Sequence, residues 1–127
     1  MNGALHEGCA AENATILTLR NLTSIAKAQG KRLIYQCHGK GGLAEYASFL
    51  IGVGEYQFYG LGGWNGVGKG GNFSEHWVEG VFDQPLGVPT ADAVYDAATS
   101  TWSRRFASGT AVTFDAVTKK GTIAWAK

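Results

Sequence analysis

Leu33-Ile-Tyr-Gln-Cys-His38 is a short apolar run that turns polar at its C-terminal end and is followed at once by Gly39-Lys-Gly-Gly42. Read in alternation, Leu33, Tyr35 and Cys37 point one way while Ile34, Gln36 and His38 point the other. Both faces are then mostly apolar and only the exit is polar, the signature of a central parallel strand buried on both sides. In parallel sheets ligands collect at the carboxyl ends of the strands, so the polar exit at Gln36 and His38 is where chemistry is expected.

Working outward, Gly3 to Glu7 reads as an earlier strand that runs into a small-residue turn. The segment from Asn13 to Ala28 places Ile16, Leu19, Leu22, Ile25 and Ala26 at helical spacing, with Asn13 as the expected N-cap and Gly30 as the stop. After the central strand, a second helix is expected from Leu43 to about Ile51, with Leu43, Tyr46, Ala47 and Leu50 on one stripe. Gly52 and Gly54 end it, and the aromatic run Glu55 to Gly60 is a third strand. Strand, helix, strand, helix, strand joined by two crossovers gives three adjacent parallel strands.

The glycine-rich stretch Leu61 to Asn72 is expected to be a loop that carries Trp64, and a short helix is expected from Ser74 to Phe82 before an extended Pro85 to Pro89. From there the period changes to two. Ala-Asp-Ala-Val-Tyr-Asp, Thr-Trp-Ser-Arg-Arg-Phe, Thr-Ala-Val-Thr-Phe-Asp and Gly-Thr-Ile-Ala-Trp read as an antiparallel meander. Trp102, Arg104 and Phe106 fall on one face of its second strand, Ser103 and Arg105 on the other. The expected fold class is α/β: a parallel βαβαβ unit over residues 1–60, a glycine-rich loop and short helix over 61–90, and the meander over 91–127, in a single domain spanning 1–127.

Composition narrows the function. At 127 residues and 45% hydrophobic content the chain holds enough apolar mass for one core and not two. A net charge of +1 without a basic run argues against nucleic acid, and the absence of a polybasic amphipathic stretch or a long apolar run argues against a membrane partner. No signal peptide is read after Met1, yet Asn13, Asn21 and Asn72 each open a glycosylation sequon, so localisation stays open with an extracytoplasmic origin as one alternative. Cys9 and Cys37 each follow an expected strand; buried free thiols are the expectation, with a bridge as the alternative if those strands are neighbours. His6, His38 and His76 have no paired ligand spacing, so no metal site and no cofactor are expected.

The run from Phe82 through Trp125, with its Pro-Leu-Gly-x-Pro element and the hairpin residues Trp102, Arg104 or Arg105, Phe106, Gly109 and Val112, resembles the C-terminal portion of hypothetical glycoside hydrolases with a TIM-barrel catalytic domain. The N-terminal half fits the same likeness, the strand ending in Glu7 being similar to a late barrel strand that carries an acidic residue. A complete barrel has eight strands and about 250 residues, so the resemblance implies either a piece of a longer, truncated barrel or a small open α/β domain. The core-like strand directly after Met1 is read as favouring the first.

What the resemblance implies for function is a carbohydrate-active protein acting on or binding a saccharide, with Glu7 in the catalytic acid/base or nucleophile position. The alternative for Glu7 is a strand-end glutamate that is solvated or caps the following helix. Gln36 and His38 offer donors and acceptors to sugar hydroxyls, and Trp64 offers a flat platform for a sugar ring. A partner carboxylate for Glu7 is not apparent in the chain, so little hydrolysis is expected; the runner-up is a non-catalytic carbohydrate-binding or structural domain. Exposed sheet edges imply self-association.

Overall fold

The computed structural model describes residues 3–61 and 79–127. The first half is β1 (Gly3–Cys9), α1 (Asn13–Gln29), β2 (Ile34–Gly39), α2 (Leu43–Gly52) and β3 (Gln57–Leu61). These strands form a parallel sheet in the order β1-β2-β3, with Ala4 opposite Tyr35 and Tyr35 opposite Gln57. The second half is a four-stranded antiparallel meander, β4 (Val94–Asp96), β5 (Thr101–Arg105), β6 (Ala111–Asp115) and β7 (Gly121–Ala124). The expected α/β class, the strand order and the change to antiparallel pairing all hold.

The expected burial of β2 on both faces does not. Tyr35 and Cys37 are buried, whereas Ile34 is 50% and Phe58, on neighbouring β3, 53% exposed, and Gln36 between them is exposed too. Both crossover helices therefore cover the same face. The apolar Ile34 misled the reading, because alternation identifies the two faces of a strand but not what covers each.

The helices lie between the two sheets. Tyr46 and Phe49 of α2 pack at a tilt around Tyr59 of β3, with ring centroids 5.3 Å apart in each pair. The other side of α2 packs on β6 and β7. At the closest approach Gly121 lies so near the helix that an added Cβ would stand 2.5 Å from Ala47 Cβ and 3.1 Å from Ala44 Cα. Gly52 likewise lets α2 approach α1, its missing Cβ lying 3.0 Å from the Ile16 backbone. Enclosed this way, α2 buries Ala47, Ser48, Phe49, Leu50 and Ile51 almost all round, while Leu43, expected on its buried stripe, is 48% exposed.

The inner face of the meander is Trp102 and Phe106 of the β5 segment, Val112 and Phe114 of β6 and Ile123 of β7; Ser103 and Arg105 face outward. Phe114 and Val112 are fully buried and belong to the same core as Ile16, Leu19 and Leu50. Each such side chain contributes about 1.5–3 kcal/mol by leaving water.

Local rules explain the helix ends, with one correction. Gly30 closes α1 in the left-handed conformation (φ 61°) and donates to Lys27 O, while Lys31 donates to Ala26 O. At the other end Glu12, not Asn13, is the N-cap, without a side-chain bond. Asn13 is instead the first helical residue, and its Oδ1 accepts from Trp102 Nε1 at 2.8 Å. Residues 79–83 are turns rather than the end of a helix, and the rest of the helix expected from Ser74 lies outside the described residues. Residues 86–90 run antiparallel to the end of β5 and beyond it, Ala107 N donating to Val88 O and Thr90 N to Arg105 O.

Candidate functional site

The carboxyl ends of β1 and β2 carry a break in strand pairing and a disulfide. His6 pairs with Cys37 and the next paired residue, Cys9, with Gly39, so Glu7 and Gly8 together stand opposite the single residue His38. That is a β-bulge, a device that terminates or redirects pairing and that recurs beside active sites. Cys9 and Cys37 are joined by a disulfide with their Cα atoms 5.3 Å apart, which corrects the expectation of free thiols. The bridge runs diagonally across the bulge, from the residue after it on β1 to the residue before His38 on β2. Both cysteines are buried, on the helix-covered face. Two backbones that a bulge would otherwise loosen are thus tied together where Glu7 and His38 sit.

Across β2 the register continues from His38 to Gly60, where an added Cβ would meet no described atom within 4 Å. Gln36 is exposed and lies two residues before His38, opposite Leu5 and Phe58. The structure therefore sets the backbones of Glu7 and Gly8 opposite that of His38, where the regular β1-β2 register is interrupted, and leaves Gln36 two residues earlier on β2. Trp64 lies outside the described residues. Tyr59 of β3 is turned toward α2.

The Tyr59 hydroxyl points at a buried carboxylate. Glu45, in the first turn of α2, is 7% exposed, and its oxygens accept hydrogen bonds from Gly41 N at 3.0 Å, Lys40 N at 3.3 Å and the Tyr59 hydroxyl. Burial pushes the Tyr59 phenol well above its usual range, and its hydrogen bond to Glu45 together with that carboxylate's charge pushes it the same way. The Gly39-Lys-Gly-Gly42 turn is held on this carboxylate. A Cβ at Gly39 would lie 1.7 Å from Glu45 Oε1, so a larger residue there would displace the carboxylate from these donors. The available signal was a glutamate three residues after Gly42, the N-cap of α2, from which a side chain reaches back to the preceding N–H groups.

Among the described residues no cluster of His, Cys, Asp and Glu could hold a metal ion, and no helix is long and apolar enough to cross a membrane. No family model matches the chain, and no curated protein matches it.

Proposed function

We propose that this chain is carbohydrate-active and takes a saccharide at the carboxyl ends of β1 and β2, with Glu7 and His38 as its principal polar contacts and Gln36 as a further one. The bulge that sets Glu7 and Gly8 against His38 carries the reading. Adjacent strands run about 4.8 Å apart, so backbone positions that face each other bring an acidic residue and a histidine, an acceptor and a donor type, to one rim. The disulfide supports the reading by fixing those two backbones before a ligand arrives. The parallel order with both crossover helices on one face is in keeping with consecutive units of a barrel whose helices form the outer ring, and so with the resemblance to barrel glycoside hydrolases.

Binding is favoured over turnover. Glycoside hydrolysis commonly needs two carboxyl groups about 5–10 Å apart across the bond. Glu45, which follows the β2 exit, is buried and already accepts from Tyr59, Lys40 and Gly41, so it is not available as that second group.

The test is to titrate the protein with oligosaccharides of differing sugar and linkage, and to assay aryl glycosides in parallel, beside Glu7→Gln. Saturable binding weakened by the substitution, with little hydrolysis in either protein, is the expected result. Turnover abolished by Glu7→Gln would make the chain an enzyme. Failure of every saccharide to bind would overturn the reading and leave a structural role.

A further inference from the structure

A concavity lies at the end of the parallel sheet opposite the saccharide rim. A cleft of about 920 Å³ opens between α1, the turn leading into β3 and the segment 86–92. Its volume falls in the range of sites that take small organic ligands, and its walls differ in character. One is the helical stripe Arg20, Ser24 and Lys27 of α1; the other is Leu86, Val88 and Pro89, with Phe49 and Phe106 between them.

The apolar wall is held in place rather than draped over the surface. Ala107 N donates to Val88 O at 2.8 Å and Ser108 N to Leu86 O at 3.2 Å, yet Val88 keeps 71% of its surface exposed. Behind the cleft the α2–β3 turn is pressed onto α1, where a Cβ on Gly54 would stand 2.2 Å from Thr23 Oγ1. Gln57 fastens the same corner, donating to Leu19 O and Thr23 Oγ1 and accepting from Gly54 N.

The charges on the lining do not cancel. Arg20 is paired with Asp92 at 2.8 Å, which leaves Lys27 and Arg104 against the exposed Glu55. Arg104 donates through Nη1 to the carbonyls of Leu50, Ile51 and Val53, and through Nε to Ala91 O. Among the described residues its Nη2 and the Lys27 ammonium have no partner. Burial lowers the Arg104 pKa, with the charge of Asp92 opposing that shift and Arg20 adding to it.

We propose that this cleft binds a small amphipathic anion: a carboxylate, received by Lys27 and Arg104, carried on a flat aromatic body that lies against Val88, Leu86 and Pro89. The site is separate from the saccharide rim and does not depend on it.

The experiment is calorimetric titration of the full chain with 1-naphthoate and with its uncharged analogue 1-naphthalenemethanol. Naphthoate binds with one-site saturation, and the alcohol binds about tenfold or more weakly. Lys27→Gln weakens naphthoate several-fold, and Val88→Glu, which sets a like charge on the apolar wall, by about tenfold or more. Both positions are exposed, and circular dichroism checks that the variants stay folded. Ile34→Ser, on the open face of the parallel sheet, leaves binding unchanged. Absence of saturable binding, equal affinity for acid and alcohol, or loss in Ile34→Ser with none in Val88→Glu would each overturn the proposal.

Discussion

A carboxylate as buried as that of Glu45 is tolerated only when donors replace the water it has lost. Tyr59 supplies one of them, and Tyr59→Phe removes it while leaving the two backbone N–H bonds in place. We expect a loss of about 1–3 kcal/mol in stability by denaturant titration, with Glu45→Gln recovering part of it in the double variant. The phenols also set the alkaline limit. Tyr35 is pushed up to about 12 by burial, and Tyr59 is raised by burial and by Glu45. A phenol whose folded pKa lies above the unfolded value of about 10 gives stability that is complete below pH 10 and is lost as pH rises toward 12. The free energy of unfolding should therefore fall steeply from pH 10 to 12, by up to about 1.4 kcal/mol per pH unit for each phenol, read by denaturant titration at each pH. The Glu45 lock was hard to read in sequence, because its partners come from β3 and from the glycine turn, and only the three-residue spacing from Gly42 hinted at it.

Elements were more legible than their surroundings. The helical spacing of Ile16 and Leu19 and the two-residue period around Trp102 and Phe114 depend on the chain's own geometry, and both gave the right element. The stripe proposed for α2 was incomplete because a helix enclosed by two sheets and α1 does not show one apolar side. How that helix ends was also hidden. It lacks a left-handed glycine cap, its C-cap being Val53 at φ −59°. Its last carbonyls are taken instead by Arg104 from β5, at 3.1 Å to Leu50, 3.2 Å to Ile51 and 2.6 Å to Val53. Nothing local to residues 43–53 could predict a cap that arrives from residue 104. Arg104→Ala should cost about 3 kcal/mol, since the carbonyls lose a charged donor and part of the shelter around it. Arg104→Lys should recover only a fraction, because an ammonium lacks the planar fork. Thermal unfolding of both variants checks the order.

For the whole molecule, pairing of sequence-distant segments decided what could and could not be foreseen. The order β1-β2-β3 followed from the alternation of helix and strand. That order made a Cys9–Cys37 bridge geometrically available, but spacing alone could not choose it over buried thiols. The bridge closes a sequence separation of 28 residues, for which chain entropy gives roughly 3–4 kcal/mol of stabilisation. Replacing both cysteines by alanine should lower stability by about that amount in urea titrations, and a change under 1 kcal/mol would deny the bridge its tie across the bulge. The bulge itself was invisible, because one extra residue in β1 shows only when the strand is laid beside β2.

The saccharide site rests on that bulge, and amide chemical shifts read it residue by residue. With isotope-labelled protein titrated against the best-binding oligosaccharide, the account predicts progressive shifts at Glu7, Gly8, Gln36 and His38, with Ser24, Lys27 and Val88 unmoved. Shifts confined to the α1 cleft, or none at the carboxyl ends of β1 and β2, would contradict it.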